Sequence, residues 1–274
     1  MANKLSASVT DAYLFRTNPV IRKLSRVEET DAADACTYTG IFRKLVYFMG
    51  MVAFGIIACM LISPRLGGSA VVSAEGISVT SAEAAVVAIA FLTFIISPIL
   101  AILIKVTIPV TGALFCLSTG YVMTWAAMKF SREYRSSILL AVVLTLIVFF
   151  SLGFLYFTGK VRVTQKFRSI LTTLIISAFL SGFLVFILAL IPATRPFVSS
   201  LQGNLVINIG GGILWVIIAS LFLLVDFDTV RRSVDDELPR KYEWWASFGL
   251  AFSVIWLFFK ILELISRIKG NEKK

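Results

Sequence analysis

Residues 205–232 read LVINIGGGILWVIIASLFLLVDFDTVRR, and this stretch decides the fold. The run 205–225 carries no ionisable side chain, and Asp226 and Asp228 stand at its end. Hydrocarbon about 30 Å thick takes roughly 20 apolar residues per helical crossing, so the run has the length of one transmembrane helix. Acids at the edge of such a segment are costly there, which makes them a functional hypothesis by default.

Outward from this stretch the same pattern recurs. The chain of 274 residues is 58% hydrophobic, 13% aromatic and only 15% charged, with a mean hydropathy of +0.90. That is more apolar surface than a water-soluble domain of this size uses. Apolar segments at about 45–62, 84–104, 109–128, 137–157, 170–191, 205–225 and 244–259 predict an all-α polytopic bundle of six to seven transmembrane helices. The last segment, 16 residues long, spans only about 24 Å at 1.5 Å per residue, so it is expected to be short, and central or re-entrant.

Three domains follow: a polar N-terminal extension over 1–40, a membrane domain over 41–268 and a basic tail over 269–274. The extension has a turn signal at Asn18-Pro19 and mixed charge over 22–34, and it lacks the apolar core of a cleavable signal peptide. Thr80-Ser81-Ala82-Glu83 has the capping-box pattern that opens a helix. Counting Lys and Arg by side favours a cytoplasmic N-terminus, and more strongly so if the last segment does not cross.

The formal charge of +10 comes from cations flanking apolar segments, which is membrane orientation and not a nucleic-acid-binding face. Cys36, Cys59 and Cys116 have neither disulfide nor metal spacing, and histidine is absent. No nucleophile with an adjacent base, phosphate loop or metal cluster is present, so neither enzyme activity nor a cofactor is expected.

Asp226 and Asp228 lie about 200° apart on a helix, so at most one is expected to face the bundle. Two readings stand. Either both acids are solvated at the membrane edge, balanced by Arg231 and Arg232, or one is buried against the last segment near Glu243, where the two share a proton and gate a polar path. Asn208 either bonds across helices or lines a wet cavity, and Gly210-Gly211-Gly212 reads as a packing surface. Lys260, Glu263 and Arg267 share one face of the last helix and are expected to pair locally. Trp244-Trp245 reads as an interfacial anchor.

The stretch 224–268, LVDFDTVRRSVDDELPRKYEWWASFGLAFSVIWLFFKILELISRI, resembles the C-terminal signature of the Bax inhibitor/YccA family, closest to its bacterial YccA-like branch. GKVRVTQKFRSIL at 159–171 and Asn18-Pro19-Val20 also match, so the resemblance spans nearly the whole chain. It implies seven helices with the last surrounded by the other six, a bacterial inner-membrane location and a pH-sensitive calcium leak. It further implies a proton-sensitive aspartate on the sixth helix, matched best by Asp228 with its following Thr229, and second by Asp226. The seventh-helix aspartate of relatives has no counterpart among residues 250–254, which leaves Glu243 as the nearest acid, and Thr111 stands where a third-helix glutamate is common. Two functions are therefore expected to compete: a proton-gated cation leak, and a non-conducting regulator of a membrane protease or other quality-control partner. A secondary transporter is disfavoured, because the chain shows no inverted repeat.

Overall fold

The computed structural model describes residues 35–66, 71–74, 77–129, 132–191, 194–196, 200 and 205–272. Seven long helices occur among them: α1 (Tyr38–Ile62), α2 (Ser81–Leu103), α3 (Ile108–Lys129), α4 (Arg132–Phe157), α5 (Gln165–Leu190), α6 (Leu205–Asp235) and α7 (Tyr242–Glu272). All seven contain a segment long and apolar enough to cross a membrane. The N-terminal extension as far as residue 34, with its Asn18-Pro19 turn, lies outside the described residues, as do Gly67-Gly68, Asn204 and the last two residues of the basic tail.

Each predicted segment lies within or along a helix, yet most helices run past their apolar cores. α1 starts seven residues before Leu45, because Thr37 caps it by accepting a hydrogen bond from the Gly40 amide. The loop after α1 contains a two-stranded antiparallel hairpin, β1 (Val71–Ala74) and β2 (Ile77–Thr80), which alternating Val and Ser residues favour. α7 corrects the expectation of a short last segment. It has 31 residues, about 46 Å at 1.5 Å per residue, which exceeds the hydrocarbon thickness. The apolar run understates it because Lys260, Glu263 and Arg267 continue the helix while pairing within the protein.

α7 is the hub, packed against α6, α1, α4 and α3, with α1 and α2 both lying on α3 and α5 lying mainly on α6. Half of the most apolar window of α7 is buried inside the protein, as its central place requires. Lipid tails are as apolar as Leu, so helices in a bilayer associate by close packing more than by expulsion of water. Glycines supply that contact between α1 and α3. A Cβ built on Gly55 would stand 2.1 Å from the Leu117 carbonyl oxygen, and one built on Gly120 would stand 2.1 Å from that of Val52. The predicted glycine surface is narrower than expected: Gly210 and Gly211 have nothing within 4 Å of a Cβ, and only Gly212 meets a neighbour, Leu264.

The chain before α1 closes onto the α6–α7 link. Ala35 bridges Pro239, and the Cys36 amide donates to the Leu238 carbonyl at 2.7 Å. Residues 35–40, expected within the polar extension, are thus tied into the membrane bundle.

Candidate functional site

Among the described residues the sites with chemistry are carboxylates, held in separate clusters. Asp228 is buried on α6, where the Tyr156 hydroxyl donates to its Oδ1 at 2.9 Å. Its Oδ2 accepts from Arg168 at 2.5 Å and from Arg232, one turn along α6, at 2.8 Å. Tyr156 belongs to α4 and Arg168 to α5, so this acid joins three helices. An acid with two guanidinium partners and a phenol donor has its charge and lone pairs accounted for.

Asp226 points the other way, toward α7. Its Oδ1 would lie 3.6 Å from a Cβ on Gly249, and the Ser253 hydroxyl, one turn further along α7, is its polar neighbour. Its Oδ2 is buried and has no hydrogen-bond partner. Buried polar atoms are nearly always satisfied, so an orphaned carboxylate oxygen in this bundle calls for a reason. The expectation that only one of the two acids faces inward is overturned. The 200° between them holds, but α6 has protein on both sides, α7 on one and α4 with α5 on the other. Nor are they merely solvated acids at the edge.

Glu243 does not join them. It is fully buried at the start of α7, where it accepts from the Thr37 amide at 3.0 Å, the Thr37 hydroxyl at 3.1 Å and the Lys44 ammonium. Arg240 lies 4.0 Å away. These partners belong to the start of α1 and to the link before α7, and Gly249, beside Asp226, is roughly 9 Å further along the helix axis. The expected proximity of Glu243 to the aspartates fails because α1 claims the glutamate first. A Cβ on Gly40 would stand 2.1 Å from its Oε1, so this glycine makes room for the carboxylate.

At the opposite end of α7, Lys260 and Arg267 both pair with Glu263, as the spacing predicted. Arg267 also donates to the backbone and side-chain oxygens of Asn208 at 2.8 and 2.6 Å, so Asn208 bonds across helices. Lys260 stands 5.0 Å from the Trp215 ring centre, a cation–π contact. Arg231 pairs with Asp235 on the exposed side of α6.

Glu83 was missed as a site because it read only as a helix cap. The capping half is present, with Thr80 accepting from the Glu83 amide at 3.3 Å. The side chain instead turns inward, accepting from Ser63 at 2.7 Å, Trp125 at 3.0 Å and Lys129 at 2.9 Å. A buried carboxylate so held clasps α2 to α3 and to the end of α1. No group of three or more Cys, Asp or Glu residues among the described residues forms a metal-binding set. Cys36, Cys59 and Cys116 are free thiols.

The family model described as Bax inhibitor 1 like matches residues 18–270. No curated protein and no solved structure matches the chain.

Proposed function

Because the chain belongs to the Bax inhibitor 1 like family and is an integral membrane protein, we propose that it is a pH-sensitive cation leak, calcium being the expected ion, in which Asp226 is the site of proton and cation exchange. The observation that carries this reading is the orphaned Oδ2 of Asp226, buried between α6 and α7 beside Gly249 and Ser253. A hard cation seeks oxygen ligands, and one carboxylate with a hydroxyl is too few to hold calcium tightly. That suits passage better than storage. A proton on Asp226 removes the charge that attracts the ion, so flux depends on pH. Asp228, Arg168 and Arg232 beside it serve as a fixed brace across α5 and α6.

The test is calcium entry into liposomes carrying the purified protein, loaded with a calcium-sensitive dye, between pH 6 and pH 8. Flux should follow pH in the wild type and lose that dependence in Asp226→Asn. An Asp226→Asn protein with the wild-type pH response overturns the assignment.

The second reading is a non-conducting regulator in the bacterial inner membrane that binds a membrane protease or other quality-control partner. It draws support from α7, which offers Asp226 a glycine and a serine instead of a second acid. Absence of calcium flux at every pH, together with partner capture that is lost on deleting residues 1–35, favours it over the leak.

A further inference from the structure

α1 and α4 flank α7 on one side of the bundle without packing closely on each other, and a cavity of about 750 Å³ fills the gap. Its floor is Phe227 and Val230 of α6 with Leu250 of α7, and its walls are Ile41 and Leu45 of α1 and Phe149 and Gly153 of α4. Phe42, Phe150 and Phe154 form the outer rim and are themselves exposed. At one end the rings of Tyr38 and Phe157 meet edge to face, 6.5 Å between centres. A second apolar cavity, about 480 Å³, continues the same seam between Val52 and Ile56 of α1 and Val142 and Leu146 of α4.

The walls lie within membrane-spanning segments, so the medium at the rim is hydrocarbon. Cations stand at the Tyr38 end: Lys160 and Arg162 are exposed just beyond Thr158, which itself lines the cavity, while Arg231 is paired with Asp235, the acid that accepts from Tyr38. An elongated apolar slot with positive charge at one mouth matches a chain with an anionic head. At roughly 30 Å³ per small group, the share a water molecule takes in the liquid, the first cavity alone has room for more than a dozen methylenes.

We propose that the α1–α4 seam is a lipid site, holding one acyl chain of an anionic phospholipid with its phosphate at the Tyr38 end against Lys160 and Arg162. Gly153 leaves the slot open. A Cβ there would rest 3.4 Å from the Phe227 ring, an ordinary contact, and any longer side chain would project into the space the chain takes.

The test is native mass spectrometry of the full chain released from detergent with phosphatidylglycerol or phosphatidylcholine added. Wild-type protein should retain one phosphatidylglycerol at least tenfold better than phosphatidylcholine. Gly153→Leu should lose retention of both, while its unfolding midpoint in lipid-free detergent stays at the wild-type value. Lys160→Gln combined with Arg162→Gln, both exposed changes, should abolish the tenfold preference and keep the bound chain. Equal retention by Gly153→Leu and wild type overturns the site, as does a dimer in place of bound lipid, or lipid binding that appears only when residues 1–34 are deleted.

Discussion

Removing Lys44 should be among the most damaging single changes on the face where α1 begins, and removing its partner should do less harm. The Glu243 carboxylate has a side-chain exposure of 1%, against 16% for Lys44. Lys44→Met leaves a buried carboxylate held by Thr37 alone, with Arg240 at 4.0 Å and mostly in solvent. Breaking a buried pair by removing one partner costs about 3–5 kcal/mol. Glu243→Gln keeps an oxygen for the Thr37 amide, and the freed Lys44 can extend its head to the interface. That change loses a charge-assisted hydrogen bond, about 1.5–3 kcal/mol. The double variant removes the uncompensated charge altogether, so it should be more stable than Lys44→Met alone by roughly 2 kcal/mol.

The assay is equilibrium unfolding from mild-detergent micelles by added dodecyl sulfate, followed by helical circular dichroism. Fluorescence gives a local reading, because Lys44 lies 5.2 Å from the centre of the Trp244 ring. Arg240→Gln is the control and should shift stability by no more than about 1 kcal/mol, as exposed pairs do. Three results refute the reasoning: Lys44→Met within about 1 kcal/mol of wild type, the value of an exposed pair, Glu243→Gln worse than Lys44→Met, or strict additivity in the double variant.

Gly120→Ala places a Cβ against a backbone carbonyl that cannot rotate away, so it should destabilise by about 1–3 kcal/mol or more in the same titration. Gly210→Ala meets nothing and should be neutral or stabilise by up to about 1 kcal/mol from helix propensity; equal effects at the two sites would contradict the α1–α3 packing. The Cys36 thiol is pushed up to about 11 by burial and then by the Glu243 charge, and its S–H faces the Pro239 carbonyl. In a protein with Cys59→Ser and Cys116→Ser, maleimide should label Cys36 about 100-fold more slowly at pH 8 than an ordinary exposed thiol, since only the thiolate reacts. The rate should climb about tenfold per pH unit up to pH 10, and labelling at the ordinary rate would refute the buried thiol.

Hydrophobic run length was enough to read the membrane fold, because nothing but a helix satisfies its own backbone in lipid over 20 residues. It failed where charge stays inside the protein. The run ending at Phe259 is followed by Lys260, Glu263 and Arg267, which look like a helix end, yet they pair with one another and with Asn208 from α6. Spacing of three and four revealed the local pairs. It could not reveal the cross-helix bond, whose partners lie 59 residues apart. Glu83 shows the same limit, since a capping box accounts for its backbone and says nothing of Trp125 and Lys129 more than 40 positions away.

The aspartates expose why facing direction alone misleads. Two positions on a helix fix the 200° between Asp226 and Asp228, and the inference that one must face outward assumes a helix with a single protein-facing side. α6 has two. α7 takes the Asp226 side, while Tyr156 of α4 and Arg168 of α5 take the Asp228 side. Matching Asp-Thr to the family pattern favours Asp228, but the geometry gives Asp228 two arginines and leaves the unmet oxygen on Asp226. The two assignments separate cleanly in one experiment. Asp228→Asn should loosen α5 and lower stability, because Arg168 loses its partner, whereas Asp226→Asn should leave stability near wild type and alter only the response of flux to pH. If Asp228→Asn alone flattens the pH response of an otherwise stable protein, the brace and the exchange site have been assigned in reverse.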